Sequence, residues 1–435
     1  MRKYENLECL HENTLKPRSY YIPYDTEKKA KNGDKTKSDY YTLLNGEWDF
    51  RYYARDIDCP EKITEWDKVT VPSCWQMTGY EKPYYTNASY PYPLDPPYVP
   101  DDNPVGVYRK LIKIEKAKSE LENYIVFEGI ASCFELFVNG EYVGYSTVSH
   151  SMSEFKIELC EGENGMALIE VVSNEYAKIS GSGFEYLFNM HYGHIEKLDD
   201  YLKTPIKLSV WRAPTDNDMH IKGKWFGENY HKMHNKVYDV AVKDNIIKVT
   251  GALMTVSRQP FVKYEASYEF FANGSIGVSF RGEFDQKRTF LPRLGFEFKV
   301  CDKEFEYFGY GPYEAYIDMH HASKMGFYQS NSEKEYVPYI KPQEHGNHYN
   351  TKYLKLGDYT FVSQQGFEFK VSDYPASELS SKRHYFELEK DKYTNVRIDY
   401  KVSGIGSDSC GPHLAERYQM NDKEIRFNYL IKKND

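Results

Sequence analysis

Long apolar runs are missing from this chain of 435 residues. No stretch approaches the ~18 apolar residues that a bilayer-spanning helix needs. The start, MRKYENLECLHENTL, has no apolar core of signal-peptide length. Cysteine is sparse: Cys9, Cys59, Cys74, Cys133, Cys160, Cys301 and Cys410 are odd in number and free of C-x-x-C spacing. That excludes a disulfide framework and a cysteine-based zinc site, and predicts reduced thiols in a soluble, cytoplasmic protein. Positive charge is not in excess either. A formal net charge of -9 and a pI near 5.9 argue against a nucleic-acid or anionic-membrane partner. Strands nowhere alternate with amphipathic helices of roughly ten to fifteen residues, so no βα barrel is encoded. Repeats, heptads and low-complexity tracts are absent too.

What is abundant is tyrosine, 42 residues, within an aromatic share of 16%. A ring with a flat apolar face and a hydroxyl suits sheet surfaces and stacking on sugars; sheet packing accounts for most of them. The pattern is β almost throughout. Tyr124–Ile130 reads as a buried strand, and Cys133–Val138 alternates before Asn139-Gly140, a two-residue hairpin turn into Tyr142–Ser146. From Phe184 onward short strands recur, with helical stretches expected only near Tyr313–Tyr316 and around Asp216–Asn235. The fold class is therefore all-β: an N-terminal jelly-roll sandwich joined to a large antiparallel sandwich. Predicted boundaries are an extension over 1–40, a first domain over 41–176, a junction over 177–183 and a last domain over 184–435. The charged stretch Thr26–Lys37 reads as a loop.

Few residues carry chemistry on their own. Ser403–Pro412 (SGIGSDSCGP) is glycine-rich but lacks the Gly-Lys-Ser/Thr ending and following helix of a phosphate cradle. Glu344-His345-Gly-Asn-His348 inverts the H-E-x-x-H order, and Gly, Asn and the nearby Pro342 interrupt it. With His320-His321 it reads as loop histidines, and no metal site is expected. In Arg212–Asp218 (RAPTDND), Pro214 fixes a turn, Asp216, Asn217 and Asp218 can cap a following helix, and Arg212 can pair with one of these carboxylates.

Three long motifs, LLNGEWDF (Leu43–Phe50), VPSCWQMTGYEKPYYTN (Val71–Asn87) and YPYPLDPPYVPDDNPVGVYRK (Tyr90–Lys110), resemble the first, sugar-binding domain of family 2 glycoside hydrolases of the β-galactosidase type. LSVWRAPTDND (Leu208–Asp218), YFGYGPYEAYIDMHHASKMGFY (Tyr307–Tyr328) and YVPYIKPQEHGNHYNTKYL (Tyr336–Leu354) resemble the same enzyme's last domain, the small chain. The resemblance implies retaining hydrolysis of terminal β-D-galactosides such as lactose. In the family two glutamates on a central barrel do this, about 5–5.5 Å apart. Between the two matching ends of this chain there is room for no such barrel. No catalytic residue is assigned: Asn174-Glu175-Tyr176 superficially joins the family's two glutamate motifs, but one glutamate cannot be both acid and nucleophile.

The resemblance does place sugar-binding residues outside the barrel. Asn87 matches an asparagine that hydrogen-bonds the sugar, although by itself it reads as a turn-capping Asn before a Pro-rich loop. Ser403–Pro412 matches the loop lining the galactose pocket, with Asp408 and Cys410 at its centre; Cys410 stands where some members carry a stacking tryptophan. No cofactor is expected, since the family's magnesium and sodium ligands lie in the missing segment. Expected partners are a β-galactoside or galactose-like sugar, a second copy, or a separately encoded catalytic chain. The chain thus reads as β-galactosidase-like, binding carbohydrate weakly and inactive alone, with a non-catalytic assembly partner as the alternative.

Overall fold

The computed structural model describes residues 2–434 apart from 19–21, 61, 84–91, 116–117, 119, 161, 169–175 and 182, and only the backbone of 162–168. The chain divides into two compact units, Met1–Asn87 with Val99–Asn174, and Ala88–Tyr98 with Glu175–Asp435. Strands dominate both.

The first unit holds a seven-stranded antiparallel sheet in the order His11–Glu12, Glu141–Ser146, Phe134–Val138, Gly162–Leu168, Val105–Ile114, Gly46–Tyr53, Asp67–Val71, and a pair, Asn123–Phe127 with Ser153–Ile157. Alternation sends Phe134, Leu136 and Val138 into one core with Ile125, Phe155 and Ile157. The expected hairpin forms at Asn139-Gly140, where φ is 54° and 88° at the two turn positions, as the right-handed strand twist requires. The stretch Thr26–Lys37 departs from its reading as a loop. Thr26 Oγ1 accepts from the Lys29 N–H at 3.4 Å and caps a helix over Glu27–Asn32. The Glu27–Lys31 pair at 2.6 Å supports it along one face, so charge composition concealed a capped helix.

The second unit is built on a twelve-stranded antiparallel sheet. Its main path runs Thr204–Ser209, Arg293–Val300, Thr394–Val402, Tyr359–Ser372, Glu424–Lys433, Ile276–Phe284, Val262–Phe270, Ile246–Met254, His234–Lys243. Asn347–Leu356, Glu304–Gly311 and Lys324–Asn331 branch from Tyr359–Ser372. Inward positions follow period two: Val262, Tyr264, Ala266, Tyr268 and Phe270 alternate into the core. Here the tyrosine surplus finds its place, because buried rings pack while their hydroxyls reach acceptors. Tyr186 donates to the Gly274 carbonyl at 2.7 Å, Tyr201 to Leu356 at 3.0 Å and Tyr230 to Thr289 at 2.6 Å.

Two details differ from the sequence reading. Residues 176–181, within the stretch read as domain end and junction, form a strand, Tyr176–Gly181, in a three-stranded sheet with Phe184–Asn189 and His194–Leu198. Tyr313–Tyr316 is not helical. Pro312 precedes it, and Ala315 donates its N–H to the Asn347 carbonyl at 2.7 Å while its own carbonyl accepts from Asn347 Nδ2 at 2.9 Å. Both Ala315 backbone groups are thereby committed to a neighbouring strand, and no helical bond can claim them. The second expected helical region holds, as a turn at Asp216–Asp218, a helix at Lys222–Gly227 and a turn at Tyr230–Lys232. Within the same unit the Pro-rich segment lies against a strand end: Leu94 N–H donates to Arg258 O at 2.8 Å, and the Tyr98 ring stacks on Tyr238 at 4.2 Å.

Candidate functional site

Asn87 and Glu175 lie outside the described residues. Asp408 and Cys410 are described, and both sit on the Ser403–Pro412 loop that follows the strand Thr394–Val402. The middle of this loop is a tight turn: the N–H groups of Cys410 and Gly411 donate to the Ser407 carbonyl at 3.2 and 2.7 Å. Cys410 is exposed at its tip. Asp408 is largely covered, with 11% of its side chain exposed, and its Oδ1 lies 2.7 Å from His413 Nδ1. One oxygen of that carboxylate is therefore committed within the loop.

Sequence reading missed what holds the loop from behind. Asp318 accepts the Ile405 N–H at 3.0 Å and the Gly406 N–H at 2.7 Å, one on each carboxylate oxygen. A Cβ at Gly404 would stand 2.6 Å from that carboxylate, so the close approach needs glycine. Asn217 spans the loop: its Nδ2 donates to the Gly406 carbonyl at 2.7 Å, and its Oδ1 accepts from Ser409 Oγ at 2.6 Å. Arg212 Nη2 donates to the Gly404 carbonyl at 3.3 Å. The last two belong to the RAPTDND segment and Asp318 to the Tyr307–Tyr328 motif, so the motifs that carried the resemblance also carry the loop's anchors.

That segment is itself anchored in charge. Arg212 is fully buried and grips Asp218 with both terminal nitrogens, at 2.7 and 3.0 Å, as its bidentate geometry favours. Asp218 also accepts the Thr215 N–H at 2.6 Å and caps the turn that begins there. Deeper in the same unit Arg293, Asp399, Glu344, Lys370 and Glu368 are buried together. Arg293 pairs with Asp399 and lies 3.3 Å from Glu344; Lys370 reaches the same Glu344 oxygen at 3.3 Å. Burial alone would raise the Glu344 carboxyl, but Lys370, Arg293, Arg212 and Arg397 outweigh it and hold it at about 2. Glu368 goes the other way. Burial pushes it up to about 8, because its bonds from the Val402 N–H at 2.9 Å and Asn347 Nδ2 at 2.7 Å offset only part of the desolvation, and Asp399 repels it. Val402 directly precedes the loop, so this carboxyl anchors its root.

The histidines of the inverted zincin pattern have other work. His345 Nδ1 lies 2.9 Å from the Gln343 carbonyl, and burial lowers the ring to about 4. His348 Nε2 lies 3.0 Å from Glu335, and its ring stacks on Phe369 at 4.8 Å. His320 packs between His321 and Tyr349. Among the described residues no group of three or more His, Cys, Asp or Glu is placed to hold a metal ion.

Residues 180–431 match the family described as Beta galactosidase small chain. The chain belongs to the β-galactosidase family. Residues 41–181 match the sugar binding domain of Glycosyl hydrolases family 2. A β-galactosidase of Actinobacillus pleuropneumoniae is 32% identical over 65% of this chain, which is 29% of its own length. One from Staphylococcus xylosus is 28% identical over 67% of this chain and 31% of its own. The chain thus spans less than a third of the length of these relatives. A solved β-glucuronidase from an uncultured Clostridium is similar at 9% identity with a TM-score of 0.22, over 75% of this chain and 43% of that one.

Proposed function

We propose that this chain is a carbohydrate-binding member of the β-galactosidase family which engages a terminal β-D-galactoside weakly, through the Ser403–Pro412 loop, and does not cleave it unaided. One observation carries the reading: the carboxylates around the loop are already committed. Asp218 serves Arg212, Asp318 serves two loop N–H groups, Asp408 serves His413, and Glu344 serves Arg293 and Lys370. Retaining hydrolysis needs one carboxyl free to protonate the leaving oxygen and a second free to attack, and each of these four is already held by a neighbour. An exposed thiol at Cys410 offers a sugar no flat ring to stack on, which favours weak binding. Seven dispersed cysteines, odd in number and without C-x-x-C spacing, support a reducing, cytoplasmic setting. The expected outcome is no turnover of a chromogenic β-galactoside above buffer, with a full-length relative as the positive control. Turnover would overturn the reading, and Glu175→Gln would then be the first variant to assay.

A second reading is favoured by one surface. Among the described residues the strand Lys324–Asn331 pairs only with Glu304–Gly311, and on this edge Phe327 is 75% exposed, with its ring 4.8 Å from Phe308. An open edge bearing an exposed aromatic is a pairing site, as an assembly partner that completes a separate catalytic chain would have. Sedimentation of the purified chain as a monodisperse monomer, with no gain of activity on mixing with a barrel-bearing relative, counts against it.

A further inference from the structure

We propose that Asp318 and Asn217 are positioning residues which set the shape of the Ser403–Pro412 loop and thereby its affinity for a galactoside; the sugar half of this rests on the function proposed above. The loop would otherwise be a poor binding element. It carries Gly404, Gly406 and Gly411 within eight residues of chain, Gly404 to Gly411, and ordering glycine-rich backbone is entropically costly. Two side chains from distant segments oppose that cost. Asp318 takes two consecutive N–H groups, Ile405 and Gly406, one on each carboxylate oxygen at 3.0 and 2.7 Å. Two N–H groups aimed at one carboxylate fix the orientation of both peptide planes. Asn217 then ties the two limbs of the loop together, donating to Gly406 O at 2.7 Å and accepting from Ser409 Oγ at 2.6 Å. Its donor and acceptor are both used, so the amide has one productive orientation.

Neither residue is free to drift. Asn217 lies in the turn that Asp218 caps and Arg212 anchors, and the preceding Asp216 N–H donates to Gln343 Oε1 at 2.8 Å. Asp318 sits beside Gly404, where a Cβ would collide with its carboxylate at 2.6 Å. The loop is therefore clamped on its inner side at residues 404–406 and at Ser409, while Cys410 stays exposed. Holding a loop in its bound form lowers the ordering cost at binding, which is how a residue that touches no sugar can raise affinity.

The test uses the full chain as wild type, Asp318→Ala, Asp318→Asn and Asn217→Ala, with amide hydrogen exchange across residues 404–411 and titration with methyl β-D-galactoside. Asp318→Ala is expected to speed loop exchange and weaken sugar binding, each by about tenfold or more, since it removes two hydrogen bonds to a charged acceptor. Asp318→Asn, whose amide oxygen still accepts one N–H, restores most of both; Asn217→Ala gives a smaller effect centred on Ser409. Loop exchange unchanged in Asp318→Ala overturns the clamp, as does faster exchange throughout the unit, which would mark a merely structural residue. Faster loop exchange with unchanged affinity overturns the link to binding. Should wild type bind no methyl β-D-galactoside, the proposed function fails on its own, and loop exchange still decides the clamp.

Discussion

In the first unit the fully buried Asp56 is met by residues close to the chain start: Arg2 lies 2.8 Å away and the Tyr4 hydroxyl donates to it. In the second, Arg293, Asp399 and Glu344 meet Glu368 and Lys370, which share one strand, so four stretches of chain contribute and share partners. The first arrangement is a small local cluster fastened by Arg2 and Tyr4; the second is a network of shared partners. In a network the position of each carboxyl within it decides its charge, and Glu344 and Glu368, both fully buried, end about six pH units apart, at about 2 and about 8.

The sharpest way to break this contrast is Arg293→Met. It strands Asp399 and removes one of the two cations within 3.3 Å of Glu344, and losing one side of a buried charge cluster costs about 3–5 kcal/mol. Urea unfolding followed by probes of each unit should show the loss in the second unit only. A smaller loss, about 1–3 kcal/mol, is expected from Arg2→Ala, since Asp56 keeps its bond from Tyr4. Here the first unit alone should be weakened; an equal loss in both would mean that the terminal segment does not act locally.

The gentlest test is pH. For Glu344 the folded value lies below the ordinary 4.5, so its stabilisation is present above pH 4.5 and is lost as pH falls towards 2. For Glu368 the folded value lies above 4.5, so its contribution is full below pH 4.5 and is lost as pH rises to about 8, at up to about 1.4 kcal/mol per pH unit. Glu368→Gln should flatten the stability profile between those limits and leave the acid limb from Glu344 intact. A wild-type profile that is level from pH 5 to 8 and matches that of E368Q would show that Glu368 is already ionised.

Much of the framework was legible in the residues. Alternation located the strand at Cys133–Val138, which forms over Phe134–Val138, and Asn139-Gly140 marked its turn because few other pairs accept positive φ twice. Arg212 was expected to pair with a carboxylate of its own motif, and the structure selects Asp218. Thr26–Lys37 was misread because a cap depends on where one hydroxyl points, and Tyr313–Tyr316 because its backbone bonds go to another strand. Asp318 was invisible as a loop anchor. It lies 87 residues before Ile405, in the Tyr307–Tyr328 motif, which carried the resemblance but gave it no role.

By itself the sequence determined the all-β class, the Asn139-Gly140 hairpin turn and the family, since each of these rests on short-range periodicity or on contiguous motifs. The charge state of Glu344 and Glu368, and the clamping of the Ser403–Pro412 loop, were decided only by the tertiary structure. Coulombic and hydrogen-bond energies depend on separation in space, and folding alone brings Lys370, Arg293 and Asp318 to their partners.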